Sequence, residues 1–190
     1  MGPVNLVLEP AECVCLSGPS GAGKTLLLRA IADLDPHEGR VWLDDRPCES
    51  FPAPEWRRRV GLLPAESRWW YERVGEHMGE LEPGWLERLG FTPDVLEWEV
   101  RRASSGERQR LALLRLLANH PDALLLDEPT ASLDPHSTRQ VEALLQEYRH
   151  RHQTPVLWVS HDPRQIRRVA SRHFELRDGV LARSPMPTAS

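Results

Sequence analysis

Apolar and polar positions along the chain follow two periods, which predict a regular succession of strands and helices. Short apolar runs, alternating or continuous, predict strands, and apolar residues that recur every three or four positions predict helices. The predicted strands are 4–8, 12–16, 41–43, 60–63, 123–126, 155–160, 174–176 and 180–182. The predicted helices are 24–33, 55–59, 84–89, 104–119, 135–152 and 163–171. This alternation indicates an α/β fold with a mostly parallel core sheet and a closing antiparallel hairpin.

The stretch from Pro64 to Arg102 differs in composition from the rest of the chain. It holds four of the seven tryptophans, several glycines and only short helical pieces. We interpret it, with the long helix that follows, as a small helical subdomain within one single domain of residues 1–182. The predicted parts are a sheet core of residues 1–63 and about 120–182, the helical subdomain of about 64–119, and a disordered tail of 183–190.

Composition and charge exclude several classes of function. Lys and Arg total 24 against 28 for Asp and Glu, so the net charge of -4 gives no reason to expect nucleic-acid binding. The longest apolar run, 111–118, is broken by Arg115 and is far shorter than the roughly 20 residues needed to span a bilayer. The first residues show no basic region followed by an apolar stretch, so no secretory signal is expected. Any membrane role must therefore come through a partner.

The three cysteines are predicted to be free thiols. Three cysteines cannot all pair internally, and Cys13 and Cys15 lie on one face of a predicted strand. A metal site would need more ligands nearby, so buried thiols in a reducing cytosol are the favoured interpretation.

A glycine-rich loop follows the predicted strand 12–16 and precedes the predicted helix 24–33. Its sequence, GPSGAGKT, matches the phosphate-loop pattern G-x-x-x-x-G-K-[ST], and this context favours a phosphate loop over an ordinary glycine-rich turn. In such a loop Lys24 reaches the β- and γ-phosphates and the Thr25 hydroxyl holds Mg²⁺. The residues predicted to contact nucleotide are Gly18, Pro19, Ser20, Gly21, Ala22, Gly23, Lys24, Thr25 and Leu26.

Two carboxylates end the predicted strand 123–126. A parallel strand delivers its carboxyl end to the ligand crevice of the sheet. Asp127 is therefore predicted to bind Mg²⁺, and Glu128 to polarise the water that attacks the γ-phosphate. An apolar strand followed by Asp-Glu is a weak signal alone, but the phosphate loop makes it a strong one.

Three further segments resemble the motifs of the ABC (ATP-binding-cassette) ATPases, in that family's order. Residues 104–112, SSGERQRLA, resemble the signature motif, 129–134 resemble the loop at the dimer contact, and His161 resembles the switch histidine. The resemblance covers residues 4–182, so the chain is identified as a member of this family. It implies signature contacts to a partner subunit's ATP from Ser104, Ser105, Gly106 and Glu107, and dimer contacts from Ser132, Leu133 and Asp134.

The family resemblance implies a P-loop ATPase in which two subunits stack head to tail around Mg-ATP, each closing its signature over the other's nucleotide. Lys24, Glu128 and His161 are then the catalytic residues. The implied role is a transporter subunit on the cytoplasmic face of the membrane, driving a separate permease. Three alternatives stay open: a soluble ABC-type ATPase, a nucleotide-gated binding module with weak hydrolysis, and a Ser104 that merely caps a helix.

Some positions depart from the family pattern. Ala65 stands where the family normally carries a Gln that reaches Mg²⁺, and Glu66 is a possible substitute. In the signature, Ala103 replaces the usual Leu and Ser105 the usual first Gly. The chain also lacks the aromatic residue that usually stacks on adenine before the first strand. We therefore expect slower hydrolysis than in a typical transporter ATPase.

Aromatic residues are grouped in the segment 66–71, where the family contacts its membrane partner. Trp69, Trp70 and Tyr71 indicate either an exposed interface or the core of the small subdomain. This segment and the short chain also resemble ATPase subunits of the metal (iron) exporter type. The seven histidines other than His161 are expected at solvated surface positions.

Overall fold

Residues 2–188, the part of the chain that the computed structural model describes, form eight strands and six α-helices. The strands are β1 Cys13–Ser17, β2 Trp42–Leu43, β3 Arg46–Pro47, β4 Val60–Leu63, β5 Ala123–Asp127, β6 Val156–Val159, β7 Arg172–Arg177 and β8 Val180–Ser184. The helices are α1 Lys24–Ile31, α2 Ala53–Arg59, α3 Trp85–Arg88, α4 Ser105–Leu117, α5 Pro135–His152 and α6 Pro163–Val169.

The main sheet has six strands in the order β4-β5-β6-β1-β7-β8. The first five are parallel, and β8 closes the sheet as the antiparallel partner of β7. β2 and β3 form a separate two-stranded antiparallel sheet. The predicted α/β fold class is confirmed. Because parallel strands point their carboxyl ends to one edge, the segments after β1, β4, β5 and β6 all start at the same edge.

Both faces of the main sheet are covered, which explains why its central strands are apolar on both sides. Side chains of one face, such as Val14 and Leu16 of β1, pack with α1 and α2. Side chains of the other face, such as Cys13 and Cys15, pack with α4 and α5. All three cysteines are free, and Cys13 and Cys15 are buried, as predicted.

The structure corrects the sequence prediction at both ends of the chain. Residues 4–8 form no strand: Val4, Leu6 and Leu8 pack partly buried against the core, but they lack a neighbouring strand to bond with. Residues 4–8 therefore alternate between partly buried and exposed positions, as a strand would, without forming one. At the other end β8 continues to Ser184, two residues into the predicted tail, and residues 185–188 have no regular structure. The rest of the predicted tail, 189 and 190, lies outside the described residues.

The segment between β4 and α4 contains little regular helix. It has the four-residue α3 and three short 3₁₀ helices, Gly75–His77, Pro93–Glu97 and Val100–Arg102. Its own buried residues, among them Val74, Trp85 and Val95, join the core cluster that α4 and α5 form on the sheet. The start of α4 is thereby held on the same body as the sheet edge.

Candidate active site

The loop after β1 is shaped by three glycines with positive φ angles. These are 143° at Gly18, 79° at Gly21 and 99° at Gly23, a region that side chains disfavour. Gly18 also passes so close to β7 that an added Cβ would lie 2.1 Å from the Leu176 carbonyl oxygen. The backbone at Gly18 can follow this path only without a side chain.

Lys24 is the first residue of α1, and its side chain turns back into the loop. Only 7% of the residue is exposed, and its Nζ donates hydrogen bonds to the carbonyls of Gly18 at 2.9 Å and Pro19 at 3.0 Å. A cation is thereby held inside the curl of the loop, beside the positive end of α1. Thr25 and Leu26 follow in the first turn and are both exposed, so their backbone amides lie at the positive end of α1.

Thr25 and Asp127 meet although they are far apart in sequence. The Thr25 hydroxyl donates to Asp127 Oδ2 at 2.7 Å, and Asp127, at the end of β5, is 5% exposed. This pair offers the hard oxygen ligands that Mg²⁺ prefers. Within residues 2–188 no three His, Cys, Asp or Glu side chains are grouped to hold a metal, so phosphate oxygens would have to complete the coordination, as is usual for Mg²⁺. The residues therefore fit the ion.

Glu128 has a strained backbone that turns its side chain towards His161. Its φ angle is 48°, and its amide donates to the Val159 carbonyl at 3.2 Å. Oε1 of Glu128 lies 3.0 Å from Nε2 of His161, which follows β6. Left-handed conformations in residues other than glycine are rare and cluster at functional sites. Together these residues place a carboxylate and an imidazole at the same sheet edge as Lys24 and Asp127.

The predicted signature residues form the start of α4. Ser104 caps the helix: its hydroxyl accepts from the Glu107 amide at 3.2 Å, and Oε2 of Glu107 accepts from the Ser104 amide at 2.7 Å. The bonds from the Ser104 amide and hydroxyl lower the pKa of Glu107. Ser104 therefore caps α4, which is compatible both with a capping role alone and with the predicted contact to a partner's nucleotide. The first-turn amides of Ser105 and Gly106 belong to the group of N–H donors that have no acceptor within the helix.

The predicted dimer loop lies against the signature. An added Cβ on Gly106 would be 3.1 Å from both the Ser132 carbonyl oxygen and a methyl carbon of Leu133. Asp134 ends this loop by capping α5, accepting from the amides of His136 and Ser137 at 2.8 and 3.0 Å. Two segments 26 residues apart at Gly106 and Ser132 thus form one surface.

Comparison with known proteins assigns the family. The family model described as "ABC transporter" matches residues 1–131. The chain belongs to the ABC transporter family. Among curated members, the aliphatic sulfonates import ATP-binding protein SsuB 2 of Paracoccus denitrificans is 37% identical over 94% of the chain and 72% of its own length. The Fe(3+) ions import ATP-binding protein FbpC of Streptomyces coelicolor is 36% identical over 97% of the chain and 57% of its own length.

Solved structures of ABC cassettes share the fold. A dimeric ATP-binding cassette in a post-hydrolysis state, bound to ADP and Pi, superposes with a TM-score of 0.82 at 26% identity, covering 98% of this chain and 90% of that one. This ABC subunit is accordingly an ATPase. None of the helices in residues 2–188 is long and apolar enough to cross a membrane.

The position of the missing family glutamine has a different link to α4. Ala65 is exposed and carries no polar side chain, but the preceding carbonyl, of Pro64, accepts from Nε2 of Gln109 at 3.2 Å. Gln109 is on α4 and 5% exposed. In this chain a side chain of the signature helix α4 therefore holds the loop after β4. Sequence analysis missed this contact, although a polar residue among the apolar positions of α4 was the available signal.

The aromatic segment combines both predicted interpretations. Trp69 packs against the core, whereas Trp70 is 66% exposed and Tyr71 is exposed beside it. The guanidinium of Arg115, on α4, lies 4.5 Å from the Trp69 ring centroid and 5.0 Å from that of Trp70. His77 is buried among these rings, which corrects its predicted surface position.

His173 is a second buried histidine that was predicted at the surface. Its Nε2 bonds the Ser17 hydroxyl at 2.8 Å, and its Nδ1 bonds the Pro185 carbonyl at 3.1 Å. It thereby fixes the strand end immediately before the phosphate loop.

Proposed function

We propose that this ATPase subunit binds Mg-ATP in the loop after β1, dimerises head to tail around it, and drives a separate membrane permease. The observation that carries the proposal is the convergence of three strand ends, those of β1, β5 and β6. The cation of Lys24, the Thr25–Asp127 oxygen pair and the Glu128–His161 pair all lie at one edge of the sheet. This is the set of groups that phosphoryl transfer to water requires.

Thr25 and Asp127 would hold Mg²⁺, which neutralises charge on the phosphates when it is bound. Lys24 would exchange its bonds to the Gly18 and Pro19 carbonyls for phosphate oxygens. Glu128 would accept a proton from the attacking water. His161 would orient Glu128 and donate to the γ-phosphate.

The dimer follows from a second phosphate-binding position in the chain. The exposed start of α4 carries first-turn amides suited to an anion, and the same chain already has such a position at α1. A partner's nucleotide would use the second position. The proximity of Gly106 to Ser132 and Leu133 supports this, because the two predicted contact segments lie side by side and could meet a partner together.

The exposed rings of Trp70 and Tyr71 would contact the permease, and this contact would hold the subunit at the cytoplasmic face of the membrane. Exposed aromatic side chains are enriched at protein–protein interfaces, which supports this contact. The relatives named above are named for import, which favours an importer over the metal exporter that segment 66–71 resembles.

The first experiment measures steady-state ATP hydrolysis with Mg²⁺, together with size-exclusion chromatography in ATP. Lys24→Ala should lose nucleotide binding. Glu128→Gln should lower turnover about 10²- to 10⁴-fold while keeping ATP bound, and should accumulate as a dimer. A fully active Glu128→Gln chain contradicts the assignment. ATP binding without hydrolysis in the wild type would instead favour a nucleotide-gated module.

A second experiment tests the permease contact. The tagged chain, purified from detergent-solubilised membranes of its own host, should carry an integral membrane protein and be stimulated by it. Trp70→Ser with Tyr71→Ser should lose that protein. Trp42→Ser removes an exposed tryptophan on β2, away from the proposed contact, and should retain it. Equal recovery with all variants contradicts this contact.

A further inference from the structure

Helix α6 begins immediately after the His161 segment and buries a polar side chain. Gln165 is only 4% exposed, less than many apolar residues of the chain. An apolar side chain of the same size could fill this space without the cost of desolvating an amide. The contacts of Gln165 therefore call for an explanation beyond packing.

The amide of Gln165 is bonded at both ends. Its Oε1 accepts from the Ser160 hydroxyl at 2.8 Å. Its Nε2 donates to Oγ1 of Thr130 at 2.8 Å and to Oε1 of Glu142 at 2.9 Å. The carboxylate of Glu142 accepts only, so it fixes which end of the amide faces it.

Glu142 is itself held in place by a cation. Arg168 binds both of its carboxylate oxygens, with Nε at 2.9 Å and Nη2 at 2.6 Å. A two-pronged pair of this kind fixes geometry as well as charge. The ion pair between α5 and α6 therefore fixes one end of the network. Gln165 extends the network from this pair to Ser160 and Thr130.

The two outward contacts lead to two different parts of the ATP site. Ser160 precedes His161, and its hydroxyl also accepts from the Asp162 amide at 3.2 Å, so both neighbours of His161 are fixed. Thr130 lies two residues after Glu128 and two before Ser132. Its carbonyl accepts from the Leu133 amide at 3.1 Å. Gln165 thus joins the segment of the switch histidine to the loop 131–134.

We propose that Gln165 is a positioning residue that couples the γ-phosphate contact of His161 to the dimer contact of loop 131–134. A shift of His161 towards phosphate moves Ser160, and Gln165 passes that shift to Thr130 and the loop. ATP bound by one subunit thereby sets the surface offered to the other. The inference rests on the proposed function, because it presupposes the ATP-dependent dimer.

The test compares Gln165→Met, which keeps the size and removes the three bonds, with Gln146→Met. Gln146 is an exposed residue of α5 outside the network. In the Glu128→Gln background, Gln165→Met should weaken the ATP-dependent dimer about tenfold by analytical ultracentrifugation, within the usual range of coupling between sites. ATP binding to the monomer should change less than about twofold. Turnover by the Gln165→Met chain with Glu128 intact should lose its cooperative dependence on ATP, and Gln146→Met should change none of these.

A second variant guards against a folding defect. Thr130→Val removes one hydroxyl without changing the side-chain shape and should weaken the dimer in the same way. Because both substitutions break one path, the double variant should be no worse than Gln165→Met alone. A folded Gln165→Met chain that dimerises as tightly as its parent contradicts the coupling alone. A Glu128→Gln chain that never dimerises with ATP contradicts the proposed function and the coupling with it.

Discussion

The Nε2 atom of His161 lies 3.0 Å from the Oε1 atom of Glu128, which joins the segments that follow two neighbouring strands. The left-handed backbone at Glu128 and its amide bond to Val159 hold the carboxylate on the side of β6. The backbone therefore places the two residues near each other, and their side chains complete the contact. A general base needs such an orienting neighbour to act at one place.

Replacing His161 tests this relationship. His161→Ala should lower kcat about 10²-fold and change the KM for ATP far less, because Glu128 loses its orienting group while the phosphate loop is untouched. Steady-state kinetics give both constants. His150→Ala removes an exposed histidine at the far end of α5 and should leave kcat unchanged. Equal turnover by His161→Ala and the wild type would show that the pair has no catalytic role.

Alanine substitutions at two glycines of the phosphate loop distinguish the effect of a steric clash from that of backbone strain. Gly18→Ala should lower the free energy of unfolding by at least about 2 kcal/mol for two reasons. The new Cβ would clash with the backbone oxygen of Leu176, and the positive φ angle is strained for any residue with a side chain. Gly21→Ala has open space around the new Cβ, so it should cost only about 1 kcal/mol. Urea unfolding measures both values. Equal effects of the two substitutions would contradict the close approach to Leu176.

The bond from Gln109 to Pro64 predicts an effect on the loop beside Ala65. Gln109→Met keeps the volume and removes the donor, so it should lower the free energy of unfolding by about 1 kcal/mol. Hydrolysis should fall with it, because the loop after β4 is no longer held to the signature helix. Gln140→Met, a half-buried position on α5, serves as the control for the loss of an amide. Wild-type stability and turnover in Gln109→Met would contradict this role.

Capping of α5 by Asp134 gives a pH dependence with a definite sign. The Ser137 hydroxyl and amide, with the His136 amide, lower the pKa of Asp134 from 3.8 to about 2. A lowered pKa means that the folded state favours the ionised carboxylate, so this stabilisation is complete above pH 3.8 and is lost between pH 3.8 and about 2. Asp134→Asn should therefore be less stable than the wild type at pH 7.

Urea unfolding of Asp134→Asn and the wild type at several pH values from 7 to about 3 measures this difference. The deficit of the variant should shrink as the pH falls below about 4. A deficit that stays constant over the whole range would mean that the carboxylate charge contributes nothing to the start of α5. A deficit that grows on acidification would reverse the predicted sign.

The order of strands and helices was predictable from the sequence, and with it the position of several site residues in the fold. The catalytic candidates stand directly after apolar strands, so knowing that the strands are parallel was enough to expect Asp127 and the phosphate loop at one edge. Sequence analysis failed where burial has no periodic signature. Gln109 and Gln165 are polar residues on buried helix faces, and they donate to the Pro64 carbonyl and the Thr130 hydroxyl, both distant in sequence. The strand wrongly predicted at 4–8 is a similar case. Alternating apolar and polar residues indicate which side chains are buried, but not whether a neighbouring strand is present to form hydrogen bonds.

The absence of a side chain at Gly106 has a consequence for the proposed dimer. Gly106 touches Ser132 and Leu133 of its own chain so closely that one methyl group would have to displace them by a few tenths of an ångström. Twofold symmetry would apply the same displacement at both nucleotides at once. In the proposed dimer, the clearance at this one residue would therefore limit how closely the start of α4 and residues 132–133 of each subunit can pack beside the other subunit's ATP.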